Sequence, residues 1–243
     1  MRPFLLLSIR AEPAAAEEEH DAFLRFLDVS PASLVRRQLG VAGLGGVALD
    51  DWSGIVLGGG AFCVSDHEPD KTPAQRRTED DLADLLDQVV AADFPFLGAC
   101  YGIGTLGRHQ GGVVDRSHPE PVGPLSVTVT DEGARDPLFA GLPQTFAAYG
   151  GHKEALTVVP DGAVVLATSQ ACPVQAFRVG EHVYATQFHP ELDLPGIVTR
   201  IEVYADHGYF EPSQVADLKA RASAVHVNHP GVLLHNFARL HAR

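Results

Sequence analysis

Apolar runs of strand length alternate with stretches of helical period through the first half of the chain, and this alternation restricts the fold more than any other feature. FLLLSI at 4–9 reads as a first buried strand. A helical stripe through Phe23, Leu24 and Leu27 follows within 17–27, and SGIVL at 53–57 is a second strand that ends in Gly58, Gly59 and Gly60. A weaker run at 34–39 lies between them. An amphipathic helix is expected over 78–92, with Leu82, Leu85, Leu86, Val89 and Val90 on one side and acidic residues near its start, where the helix dipole favours them. The next buried strand spans 94–99. Strands buried on both faces and separated by helices give an α/β architecture with a mostly parallel sheet.

Beyond about residue 120 the pattern changes to β-rich pieces at 125–130, 155–158, 163–168, 174–177 and 182–188, the last two joined by a turn at 179–181. These are expected to add an antiparallel portion to the sheet. From Pro195 onward the chain reads as helices over 197–204, 212–224 and 232–241, an extension of the same domain. With 243 residues, 45% of them hydrophobic, one large core can form without a second domain.

Charge and cysteine usage remove several classes of function. The formal net charge is -13 and the 18 Lys and Arg residues are scattered, so the attraction to phosphate on which nucleic-acid binding depends is absent. The apolar run in MRPFLLLSIR is too short for a signal peptide or a membrane span. Three cysteines, Cys63, Cys100 and Cys172, make an odd count without CxxC spacing, which argues against a disulfide framework and for a reducing cytoplasm. No metal or organic cofactor is required. His226, His229 and His235 cluster near the C-terminus, but Pro230 disrupts any helical ligand face, and a solvated tail is the better reading.

The stretch PFLGACYGIG at 95–104 runs a strand straight into Cys100, with Gly98 and Gly102 on either side. This is the thiol version of a nucleophile elbow, in which side chains at the two glycine positions are expected to collide across the turn. The helix that follows points unpaired N–H groups at the sulfur and favours thiolate. Taken alone, the elbow is compatible with either a reactive or a merely packed cysteine. ATQFHPELD at 185–193 bears on that choice, because it places His189 at a strand end and Glu191 two residues on. A cysteine nucleophile needs a base, and the base needs an acceptor to fix its tautomer; this pair supplies both. Gly58, Gly59 and Gly60, with the N–H of Tyr101, are candidates for the donors that hold the oxyanion. Cys63 and Cys172 have no base motif beside them and read as buried structural cysteines.

VLGGGAF at 56–62, FLGACYGIGTLG at 96–107 and YATQFHPEL at 184–192, with weaker likeness in YGGHKEAL at 149–156, together resemble the class I (triad) glutamine amidotransferases, especially stand-alone proteins similar to the glutaminase domain of GMP synthase. The resemblance implies a flavodoxin-like three-layer fold over 1–195, with 196–243 as its helical extension. It implies a Cys100, His189, Glu191 triad, with Gly59, Gly60 and Tyr101 at the oxyanion hole. It also implies hydrolysis of the glutamine side-chain amide through a cysteinyl thioester. Family members normally pass the ammonia to an acceptor site on another domain or protein. Only about fifty residues follow the triad, too few for a synthetase unit, so either a separate protein supplies the acceptor site or the chain acts alone as an amide hydrolase.

Three positions depart from the family pattern. Gly104 stands where the family often has a glutamine in the elbow helix, Ala61 replaces a proline, and Gly151, His152, Lys153 and Glu154 replace Ser-His-Gly-Asp. His152 either touches substrate or packs beneath the site. These departures keep open a γ-glutamyl hydrolase acting alone on another γ-glutamyl amide, and a non-catalytic binding or regulatory module of the same fold.

Overall fold

The computed structural model describes residues 2–205 and 210–243. Its first half holds strands β1 (Phe4–Ser8), β2 (Leu34–Gln38), β3 (Gly54–Leu57) and β4 (Phe96–Ala99), and helices α1 (Pro13–Leu27), α2 (Pro73–Ala91) and α3 (Tyr101–His109). Then come β5 (Val113–Asp115), β6 (Glu120–Val129), α4 (Asp131–Arg135), β7 (Thr145–His152), β8 (Ala155–Val158), β9 (Val164–Thr168), β10 (Ala176–Val179) and β11 (Val183–Thr186). Helices α5 (Leu194–Val203), α6 (Val215–Ser223) and α7 (Gly231–His241) close the chain.

The main sheet has nine strands in the order β2-β1-β3-β4-β11-β10-β9-β6-β7. Its first five strands are parallel. Counted among themselves they run 2-1-3-4-5, the flavodoxin-like order. From β10 to β7 every pairing is antiparallel, which is the addition expected from the β-rich second half. A separate pair, β5 with β8, lies outside this sheet.

Alternation along β1 builds the three layers. Leu5 and Leu7 join Leu82, Leu85, Leu86 and Val89 of α2 and Ile103 and Leu106 of α3 in one core. Phe4 and Leu6 point the other way, to Phe23 and Leu27 of α1 and Leu233, Leu234 and Phe237 of α7. Each such leucine, fully buried, contributes about 1.5–3 kcal/mol. A third cluster seats α5 and α6 on β7 through Tyr149, Leu192, Ile197, Ile201 and Leu218.

Two helices start earlier than their apolar stripes suggest, for the same reason. Pro13 and Pro73 occupy the first turn, where a missing N–H costs nothing, so α1 and α2 begin before the first periodic residue. Thr72 caps α2 by accepting from the Gln75 N–H at 3.1 Å. The acidic residues therefore lie beyond the first turn of α2, and Glu79 instead pairs with Lys71 at 2.6 Å.

The strands that differ most from expectation are β6 and β7. β6 starts at Glu120 and includes Pro121 and Pro124; these are tolerated because its pairing with β9 is confined to Thr128 and Val129, leaving the proline end bonded on one side only. β7 reads TFAAYGGH, too rich in Ala and Gly for a strand signal, and is held by its register with β6. The turn at 179–181 is present: Gly180 has φ +60°, and the Asp93 carboxylate accepts the Glu181 and His182 N–H groups at 3.0 Å.

Candidate active site

Three central parallel strands, β3, β4 and β11, end side by side, and the loops leaving them carry Gly58–Gly60, Cys100 and the 187–191 segment. Leu57 and Ala185 both pair with Gly98, so the three strand ends are level. Ligands of open α/β sheets bind at this carboxyl edge.

Cys100 has φ +53° and ψ -86°, a backbone conformation that a side-chain-bearing residue rarely adopts, and α3 begins at the next residue. Its N–H donates to the Thr186 carbonyl at 2.7 Å, tying the elbow to the end of β11. A Cβ on Gly98 would come within 2.8 Å of the Gly102 Cα, so glycine is required there. Gly102 differs from expectation: a Cβ on it would meet only the Leu57 side chain, at 3.6 Å, because it points away from the turn.

His189 lies three residues beyond β11, not at its end. It is fixed by an isolated bridge to Tyr149 of β7, its N–H donating to the Tyr149 carbonyl at 2.9 Å. Its Nδ1 donates to Glu191 Oε1 at 2.7 Å, and the Cys100 side chain lies close enough to the ring to act on it electrostatically. Burial opposes the imidazolium, but the charges of Glu191 and Cys100 outweigh it and raise the pKa to about 9. Burial likewise opposes ionisation of Glu191; His189 and Arg200 outweigh it and hold the carboxyl well below the usual carboxylate range. Gly59 lies against both reacting side chains: a Cβ there would be 2.6 Å from His189 Cε1 and 3.2 Å from Cys100 Cβ.

A recess opens over these groups, lined by Cys100, His189, Gly60, Gly151, Arg10 and Tyr204 among others. Cys100 is partly exposed, whereas Cys63 and Cys172 are buried, and burial pushes their thiols up to about 12 and about 11. Tyr101 heads α3 beside Cys100, its side chain turned into the core against Phe62.

His152 does not line this recess. Its Nε2 bonds the Glu120 carboxylate and its Nδ1 the Glu154 carbonyl, both at 2.8 Å, so neither nitrogen is free for a substrate. Of the two roles open to it, packing beneath the site is the one this geometry supports. Gly104 also has a structural counterpart. A Cβ there would be 3.0 Å from Glu154 Oε1, and that carboxylate is itself clamped by the Val64 and Ser65 N–H groups at 2.9 and 2.8 Å. The space in which a larger residue at 104 would begin is thus filled by Glu154.

A buried charged layer under the site was not evident from the motifs. Arg10, just past β1, donates to Glu19 of α1 at 2.7 Å and to the Tyr204 hydroxyl at 2.9 Å. The loop glycines rest on this pair: a Cβ on Gly58 would be 2.5 Å from the Glu19 carboxylate, and one on Gly59 would be 3.3 Å from Arg10 Nη2. Arg200 of α5 reaches Glu191 Oε1 at 3.1 Å. Its sequence signal is a charge among the buried residues of one helix face, flanked by Ile197 and Ile201 at helical spacing.

Comparison with known proteins agrees with this geometry. The family model described as glutamine amidotransferase class-I matches residues 49–196. The chain is 34% identical over 107 residues to the glutamine-hydrolysing GMP synthase of Bacillus mycoides, covering 44% of this chain but 20% of that protein. It therefore spans about a fifth of the length of such full-length relatives. One subunit of the glutamine-hydrolysing GMP synthase of Methanococcus maripaludis is 29% identical over 170 residues, which cover 70% of this chain and 78% of that protein. A glutamine amidotransferase structure from Thermotoga maritima superposes with a TM-score of 0.73 over the whole of both chains at 20% identity, a likeness of fold. No helix among the described residues is long and apolar enough to cross a membrane. With the family's motifs at adjoining strand ends and its model matched across them, the chain belongs to the class-I glutamine amidotransferases.

Proposed function

We propose that Cys100, His189 and Glu191 hydrolyse the side-chain amide of glutamine, and that the ammonia passes to an acceptor site on a separate synthetase. The observation that carries this reading is the Glu191–His189 hydrogen bond set beside a cysteine held in a strained elbow. In the first step the Cys100 thiolate attacks the amide carbon, and the oxygen's negative charge is taken up by backbone N–H groups of the Gly59–Gly60 loop and Tyr101. The His189 imidazolium gives its proton to the amide nitrogen, the C–N bond breaks and ammonia leaves. Water then attacks the thioester, His189 takes its proton, and the C–S bond breaks to give glutamate and the free thiolate. Glu191 holds the imidazole in the right orientation throughout.

The similarity to a single subunit of a GMP synthase supports a separate synthetase as the destination of the ammonia. Residues 196–243 act as an extension of the same domain, since α7 buries Leu233, Leu234 and Phe237 in the core it shares with α1. The filled space at Gly104 favours a second reading, hydrolysis of another γ-glutamyl amide without an acceptor. Glutamate and ammonia release from L-glutamine, measured beside a panel of γ-glutamyl amides and beside Cys100→Ala, tests both. Turnover of glutamine that the variant loses supports the first reading; turnover of the panel alone supports the second. Turnover that survives in Cys100→Ala overturns the mechanism.

A further inference from the structure

Arg200 is the one charged residue on the buried face of α5, and its shortest contacts are with the candidate triad. Nη1 lies 3.1 Å from Glu191 Oε1 and 3.2 Å from His189 Nδ1. Because Nδ1 donates its own proton to Glu191, the bond that Nη1 makes is to the carboxylate. Among the described residues Nε and Nη2 have no hydrogen-bond partner, and Nη2 has only the longer contacts to Glu18 at 3.6 Å and Glu19 at 3.8 Å. A buried guanidinium with most of its donors unused is destabilising to keep, and its single close bond is to the group that steers the imidazole.

We propose that Arg200 is a positioning residue: it holds the Glu191 carboxylate ionised and fixed, and through it the His189 imidazole. This inference rests on the proposed triad. The charged groups around it are Glu18 and Glu19 from α1, Arg10 beyond β1, Tyr204 at the end of α5, Asp193 at its start, and Cys100 with His189 and Glu191. The acids outnumber the two arginines, so the layer as a whole is not a cradle for an anionic ligand. Arg200 instead offsets Glu191 locally, which agrees with the lowered pKa of that carboxyl.

The test compares Arg200→Met, Arg200→Gln and Arg200→Lys with the parent chain, and Arg200→Met with Glu191→Ala singly and together, following kcat, KM, the pH profile and the melting temperature. Arg200→Met and Arg200→Gln are expected to lower kcat roughly 10–100-fold with KM within about twofold, as small misplacements of a reacting group do. Without the guanidinium Glu191 takes up its proton more readily, so the acid limb of kcat moves to higher pH by about one unit or more. Arg200→Lys keeps the charge and restores much of the rate and the limb. In the Glu191→Ala background Arg200→Met costs nothing further, because the residue it acts through is gone.

A lower melting temperature with kcat and the acid limb unmoved makes Arg200 merely structural and overturns the inference. So does a rise in KM at constant kcat, which marks a substrate contact, or a full additional loss in the double variant. If Glu191→Ala alone leaves turnover unchanged, the triad reading fails; if it slows turnover while Arg200→Met does not, only the role of Arg200 fails.

Discussion

The molecule holds two sets of cysteine, histidine and glutamate, and they behave as opposites. Cys100, His189 and Glu191 meet where β3, β4 and β11 end. Glu120, His152 and Cys172 meet in the antiparallel half, all three buried, with their ligating atoms within 4.8 Å of one another. In the first set one imidazole nitrogen bonds a carboxylate, and the cysteine near the ring is partly exposed. In the second, both nitrogens of His152 are bonded to Glu120 and the Glu154 carbonyl, and the Cys172 thiol donates to the Val174 carbonyl at 3.4 Å. Glu120 also accepts from Ser169 and Gln175. The first set thus has the features the proposed nucleophile needs, a strained backbone, a histidine with one nitrogen not bonded to the carboxylate, and an open recess. The second makes a closed polar knot in the core.

The largest expected difference between the sets is in turnover. Cys100→Ala should lower amide hydrolysis on the order of 10⁴-fold or more, as removal of a nucleophile does, while Cys172→Ala should leave the rate within a fewfold of the parent. A steady-state assay of glutamate release on the two purified variants checks this; equal losses would erase the distinction. Alkylation separates the thiols less sharply. A glutamine-analogue chloroketone should label Cys100 first, since Cys63 and Cys172 are buried and their thiols are raised to about 12 and about 11. Peptide mapping with most of the label on either of those two would contradict the assignment.

A third prediction concerns the carboxylates. Glu191→Gln should slow kcat on the order of 10²-fold and move the alkaline limb down. The sign follows from His189: its pKa is raised to about 9 in part by Glu191, so the imidazolium proposed to protonate the leaving amide nitrogen is present below that pH and lost as pH rises through it. Without the carboxylate the loss begins nearer the usual histidine range. A limb that stays near 9 in Glu191→Gln would mean that Glu191 does not govern the imidazole.

The parallel half of the fold was far more legible than the antiparallel half. β1, β3, β4 and α2 are continuous apolar or amphipathic segments, because both faces of those strands are covered and their side chains must say so. β7 is almost silent, since Gly150 and Gly151 pack where a Cβ would strike Leu125 and Val122, and the need for that space leaves no strand-forming residue to read. In the candidate site, Gly98, Cys100, His189 and Glu191 announce themselves because they fall in two short motifs, at 98–102 and 189–191. Arg10, Glu19 and Arg200 do not, because they come from the loop after β1, from α1 and from α5 and are joined only by tertiary packing. The filled space at Gly104 belongs to the same class: its cause, Glu154, is 50 residues away in the chain and meets it only in the fold.

The smallest expected effect separates the second set from catalysis altogether. Glu120→Gln removes the ionised acceptor for His152, Ser169 and Gln175 without changing the shape of the side chain, and should cost about 1–3 kcal/mol of stability, with kcat and its pH limbs unmoved. Burial works against ionisation of Glu120, but its bonds with His152, Ser169 and Gln175 win and lower its pKa. A carboxyl depressed in the folded state contributes stability above its unfolded pKa, and that contribution fades as pH falls toward the folded value. The parent should therefore lose stability on acidification more steeply than Glu120→Gln, and the two unfolding midpoints should converge at low pH. Denaturant melts of both chains from neutral pH to well below the unfolded glutamate range, about 4.3, measure this. A variant that kept its stability but lost turnover would place Glu120 and His152 in the chemistry, and would collapse the contrast between the two sets.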